Sequence, residues 1–194
     1  MIDATKPQAW HQLAQDLGMI AIGWNNIETD ARSMLLALGG DGIGLMACAA
    51  MLGNIPLINA LRATSKLVSS FETEIDRFSE CMDRLRSYRN HYIHGVHATH
   101  DGENDDAYVT IVGSETSHGK YTITNEVVTR EQLAYPLRHI MRLQYYAGAL
   151  SRHVHAKHGS SLPVGPPLHP LPPLPEIPAK LVRKRMTVDE FLSA

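Results

Sequence analysis

Apolar positions recurring at steps of four and three organise most of this chain, and they predict a protein built chiefly of helices. The longest such stripe runs through Phe71, Ile75, Phe78, Met82 and Leu85 and, after an interruption, Tyr92. That spacing lines one face of an amphipathic helix, and Gly95 is a natural stop for it. A second stripe, Ile20, Trp24, Ile27, Ala31, Met34/Leu35 and Leu38, predicts a helix over 19–38 closed by Gly39 and Gly40. Ahead of it, Thr5 and Gln8 stand at capping-box spacing, and Trp10, Leu13, Ala14 and Leu17 predict a short first helix ending at Gly18. Two short apolar helices are expected over 45–52 and 57–70, split at Pro56. Leu133, Leu137, Ile140, Ala147, Leu150 and Val154 trace a last long helix to about Lys157, and Pro136 inside it either kinks it or delays its start.

The pattern changes twice along the second half. Residues 107–112 and 121–128 alternate and are rich in β-branched side chains, which predicts one inserted β-hairpin over about 107–128. A lone hairpin is unstable in water, so it must pack on the helices. Eight of the eleven prolines then fall in 163–178, a density that excludes a helix or central strand. The expected organisation is a mainly α helical domain over 1–158 and a proline-rich extended arm over 159–194. That arm suits either the aromatic groove of a partner or a strap over this subunit or a neighbour.

Composition narrows the function classes. A chain of 194 residues accommodates one domain with its own core plus a tail. A formal net charge of -2 supplies no overall basic field, which argues against a dedicated DNA-binding protein but leaves room for a local cationic site. Cys48 and Cys81 read as reduced core residues of a cytoplasmic protein, and 1–10 contain no apolar leader. Residues 42–61 carry no charge over the length of a membrane span. Gly53-Asn54-Ile55-Pro56 and Asn59 interrupt them, so two buried helices are expected and no membrane partner. GGDGIG at 39–44 has the glycines of a phosphate loop without its lysine, and reads as a connector.

Candidate chemistry gathers at the end of the central helix. Arg89 occupies a place where the stripe calls for an apolar side chain, and Asn90 and His94 follow before Gly95. One reading is structural: Arg89 pairs with a carboxylate of its own fold, Glu28 or Asp30, and His94 complements the negative end of the helix dipole. The spacing Arg89-Asn90-x-x-x-His94 also resembles the R-x-x-x-x-H signature of HEPN domains (higher eukaryotes and prokaryotes nucleotide-binding). The likeness covers 71–95 well and 8–158 loosely. It implies a HEPN-like helical bundle and a metal-independent endoribonuclease, of the kind found among toxins and phage-defence effectors. It further implies a homodimer in which two motifs face each other, RNA as substrate, and an antitoxin or other protein as partner, with no cofactor and no metal. Carried over by position, Arg89 would stabilise phosphate charge, His94 would act as acid/base, and Asn90 would orient one of them. His91 and Tyr92 fall at variable positions of the motif.

General chemistry suits that assignment. Imidazole titrates near neutral pH, and the guanidinium fork matches phosphate oxygens. There are departures: in one toxin branch a Tyr stands two residues after the motif His, whereas this chain has Val96, so nucleotidylation there has no acceptor. Many HEPN domains are non-catalytic interaction or scaffold modules, which is the alternative function. On an ideal helix, positions five apart lie about 140° apart around the axis. Arg89 and His94 are therefore expected on different faces, united only by a loosened helix or a partner subunit. His91, His94, His97 and His100 with Asp101, Asp105 and Asp106 offer metal-ligand side chains, but in no recognised metal spacing. Arg152, His153, His155, Lys157 and His158 suit the dipole of the last helix or, alternatively, a phosphate patch.

Overall fold

The computed structural model describes residues 7–40, 42–94, 96–99, 109–117, 120–128, 130–158 and 169–181. Among them are α1 (Pro7–Gly39), α2 (Ile43–Met51), α3 (Asn54–Leu67), α4 (Glu72–His94), β1 (Val96–Thr99), β2 (Val109–Ser117), β3 (Lys120–Val128) and α5 (Arg130–His158). The protein is mainly helical.

The two predicted N-terminal helices are one. α1 runs 33 residues through Gly18, with Pro7 at its first position, where a missing N–H costs nothing. A glycine inside a helix costs roughly 1 kcal/mol against alanine. Burial of Leu13, Ile20, Trp24 and Ile27 along the same face outweighs that penalty, since each large apolar side chain contributes about 1.5–3 kcal/mol. The stop at Gly39 and Gly40 is structural, because Gly40 takes φ +87, a left-handed conformation that suits glycine. The break between α2 and α3 lies at Leu52 and Gly53, not at Pro56, which sits in the first turn of α3. α5 continues through Pro136 without interruption. Thr5, the expected cap of the first helix, lies outside the described residues.

The chain divides into two compact units, Met1–Ala21 with Ser87–Arg138 and Lys180–Ala194, and Ile22–Arg86 with His139–Ala179. In the second, the predicted stripes meet in a core: Ile27, Met34, Leu57, Leu61, Ile75, Phe78, Met82, Leu85, Ile140 and Leu150 are fully buried. Arg32 donates from Nε to Ala49 O at 3.2 Å and from Nη2 to Leu52 O at 3.2 Å. A cation thus satisfies carbonyls at the negative end of α2. Arg62 ties α3 to α4 through Asp76 at 3.3 Å.

Phe71 departs from its expected place on the stripe. It precedes α4 with φ +54, and Ser69 takes φ 47, conformations that cost a non-glycine residue about 1–3 kcal/mol unless the surroundings hold them. The end of α5 holds them. His158 Nε2 lies 3.0 Å from Ser70 Oγ, and Lys157 Nζ sits 5.2 Å from the centroid of the Phe71 ring. His155 is buried with Nε2 2.6 Å from Ser33 Oγ, and His153 Nδ1 lies 2.9 Å from Ala149 O. The basic end of α5 is largely a packing device.

The described part of the proline arm, 169–179, belongs to the same unit and is neither helix nor strand. Cys81 Sγ donates to Glu176 O at 3.6 Å, and Pro178 is buried. At Glu176 the arm touches α4 of its own chain. Cys81 is a core thiol as expected, while Cys48 is exposed, contrary to expectation.

In the first unit the strands form one antiparallel sheet in the order β1-β2-β3. β2 and β3 pair from Val109↔Val128 to Ser117↔Lys120. β1, which periodicity over four residues is too short to reveal, pairs with β2 from Val96↔Val112 to Thr99↔Val109. The sheet therefore has three strands, where a two-stranded hairpin was expected.

Candidate functional site

The last two turns of α4 carry the motif, and their alternation of buried and open positions decides what each residue can do. Tyr88, His91 and Tyr92 are buried, Arg89 and Asn90 are half-buried, and His94 is exposed. The His91 and Tyr92 rings meet edge to face at 5.2 Å, and Tyr88 lies 6.4 Å from Tyr92 and 5.8 Å from Tyr135. This ring cluster anchors the helix end by apolar burial and aromatic contact. The polar motif residues are left on the opposite, wetter side.

Arg89 Nη1 lies 3.1 Å from Asn90 Oδ1 and 2.6 Å from His94 Nε2. α4 remains helical through His94, so the two backbone positions keep their expected angular separation, and what the contact overturns is the expectation that only a loosened helix or a partner could unite them. The long arginine side chain spans the turn and its fork reaches the imidazole; neither a loosened helix nor a partner is needed for contact. An arginine has donors only. The short contact is therefore a hydrogen bond when His94 Nε2 is the acceptor, with the ring neutral and its proton on Nδ1. Arg89 Nε is buried with no hydrogen-bond partner among the described residues, a cost of about 1–3 kcal/mol.

Of the two carboxylates expected to pair with Arg89, Glu28 is engaged otherwise and Asp30, half-buried, forms no ion pair with Arg89 among the described residues. Glu28 accepts from Trp24 Nε1 and from Arg32, the latter at 3.3 Å. Burial pushes the Asp30 carboxyl above its usual range, and the positive charge of Arg152 partly offsets this. Asn90 and His94 are the partners of Arg89 among the described residues.

Tyr88 and Tyr92 also line a cavity of about 430 Å³, to which the start of α5 contributes Tyr135 and Arg138 and the C-terminal segment contributes Lys180. Arg138 and Lys180 are exposed. Neither carries a motif, and their nearness to Tyr88 depends on which turn of α5 faces α4, so sequence reasoning passed over them.

Among the described residues no group of three or more His, Cys, Asp or Glu side chains is placed to hold a metal ion. His100, Asp101, Asp105 and Asp106 lie outside the described residues, as does the side chain of His97. No helix among the described residues is long and apolar enough to cross a membrane. Compared with models of known protein families, with curated proteins and with solved structures, the chain matches none.

Proposed function

We propose that the chain is a HEPN-like, metal-independent endoribonuclease whose site is formed by Arg89, Asn90 and His94. The observation that supports this reading is the convergence of all three on one point, with Arg89 Nη1 within 3.1 Å of Asn90 Oδ1 and 2.6 Å of His94 Nε2. The imidazole there is open to solvent. In the proposed reaction His94 Nε2 takes the proton of a ribose 2′-hydroxyl. The 2′-oxygen forms a bond to phosphorus, the bond from phosphorus to the 5′-oxygen breaks, and His94 of a second copy protonates that leaving oxygen. Arg89, turning from the imidazole to the phosphate, stabilises the charge that develops on the non-bridging oxygens. Asn90 holds the guanidinium in register. The products are a 2′,3′-cyclic phosphate and a 5′-hydroxyl. A toxin or defence role, with an antitoxin as partner, rests on the family likeness alone.

Purified protein incubated with mixed single-stranded RNA in excess EDTA is expected to cut it. His94→Ala is expected to lower the rate by about 10²–10⁴-fold, the usual worth of acid–base catalysis. Arg89→Lys, which keeps the charge and loses the fork, is expected to lose most of the activity as well. Equal cleavage by wild type and His94→Ala would reject the assignment. A second reading, a non-catalytic interaction module, is favoured by the open face of the arm, where Leu174 is 43% exposed beside the exposed Pro173; no cleavage by any variant would favour it.

A further inference from the structure

α1 and α5 lie side by side, running in the same direction, with Gly23 against Ile140, Asp30 against Gly148, and Ser33 against His155. Together they line an open groove of about 550 Å³, a size that suits a small ligand. One end of the groove is charged. Asp30 Oδ2 on α1 and Arg152 Nη1 on α5 each stand 3.7 Å from the point that a Cβ on Gly148 would occupy. The missing side chain leaves an opening between a carboxylate and a guanidinium. Among the described residues the two form no ion pair with each other. Burial raises the Asp30 carboxyl, and the charge of Arg152 offsets this only in part, so a second cation beside Asp30 would favour its ionised form. The other end of the groove is apolar. One and two turns back along α5 from Gly148, Tyr145 and Met141 line it, 70% and 39% exposed.

The charges restrict what the groove can hold. A simple anion drawn to Arg152 meets the carboxylate of Asp30, and a simple cation drawn to Asp30 meets the guanidinium of Arg152. A group that carries both signs on neighbouring atoms is attracted by both. We propose that the groove binds a free α-amino acid with a large apolar or aromatic side chain, its ammonium on Asp30, its carboxylate on Arg152 and its side chain along Tyr145 and Met141. The guanidinium fork matches a carboxylate, and a tyrosine ring beside a flexible thioether accepts aliphatic and aromatic groups alike. The site does not depend on the chemistry proposed for Arg89 and His94.

Ligand-observed NMR titration of the full chain with L-phenylalanine, L-methionine and L-leucine tests it. At least one is expected to bind with Kd below about 1 mM. The N-acetyl derivative of the tightest binder lacks the cation and its amide lacks the carboxylate, and each is expected to bind about tenfold or more weakly, as loss of one close charge pair predicts. Asp30→Asn keeps the shape of the side chain and removes its charge. It is expected to weaken the free amino acid by about tenfold and to narrow the gap between it and the N-acetyl derivative, which Asp30 no longer repels. Gly148→Ala sets a methyl group between the charges at ordinary contact distance, so it is expected to lower affinity with the far-ultraviolet circular dichroism unchanged. No binding of any of the three by the wild type at about 10 mM overturns the proposal, as does equal affinity for the blocked derivatives. Affinity left unchanged by both Asp30→Asn and Gly148→Ala overturns it too, since the ligand is then held elsewhere.

Discussion

Two glycines of α1 offer a matched test of how the helix is held. Gly18 and Gly23 both lie inside the 33-residue helix, so alanine at either removes the same intrinsic penalty, about 0.8–1.0 kcal/mol. A Cβ at Gly18 meets nothing within 4 Å, whereas a Cβ at Gly23 falls 2.7 Å from Ile140 Cγ2 and 3.3 Å from Gln144 Oε1. Carbon atoms in good contact stand about 3.5–4.0 Å apart, so Ile140 must retreat by roughly 1 Å. Overpacking of this kind costs about 1–3 kcal/mol. Gly18→Ala is therefore expected to stabilise by about 1 kcal/mol, and Gly23→Ala to be neutral or to destabilise by up to about 2 kcal/mol. Urea unfolding followed by circular dichroism, with the midpoints compared at a common slope, measures both. If Gly18→Ala fails to stabilise, the helix does not run through that position as described. If Gly23→Ala stabilises as much as Gly18→Ala, the close approach of α1 to α5 is wrong.

Arg32→Met is expected to lower stability by about 2–4 kcal/mol in the same assay, because it removes two charge-assisted bonds to the α2 carbonyls and leaves Glu28 without its cation; a loss under about 0.5 kcal/mol would deny that Arg32 caps α2. The thiols should differ sharply: exposed Cys48 is expected to react with a disulfide reagent in the folded protein at mildly alkaline pH, and buried Cys81 only after denaturation. Burial raises the Cys81 pKa from 9.0 to about 11, so the unfolded chain releases this proton before the folded one. Stability is then expected to fall as pH rises from about 9 to about 11, and Cys81→Ala to flatten that decline.

Much of the candidate site was legible because its ingredients are local. Arg89, Asn90 and His94 belong to one helix, and a guanidinium interrupting the run from Ile75 to Tyr92 is visible without any structure. Their contact was not legible. Helical angles place backbone positions, whereas the 2.6 Å approach of Nη1 to Nε2 depends on how a long, flexible side chain is steered once its Nε is buried. The cavity formed by Tyr88, Tyr92, Tyr135, Arg138 and Lys180 was invisible for a different reason, since its residues come from three separated segments.

The sequence alone determined the features that neighbouring residues decide. The buried face of α4 at Ile75, Phe78, Met82 and Leu85 follows from spacing, the end of α1 from a glycine able to take φ +87, and the lack of helix or strand over 170–181 from prolines too dense to sustain either. Tertiary structure decided whatever turned on a balance of about 1 kcal/mol or on distant partners. It carried α1 through Gly18, moved Phe71 off the helix and against Lys157, and gave Arg32 the carbonyls of Ala49 and Leu52. Local preferences of that size are outweighed by burial of side chains each worth more, and which side chains are buried is known only when the helices have met.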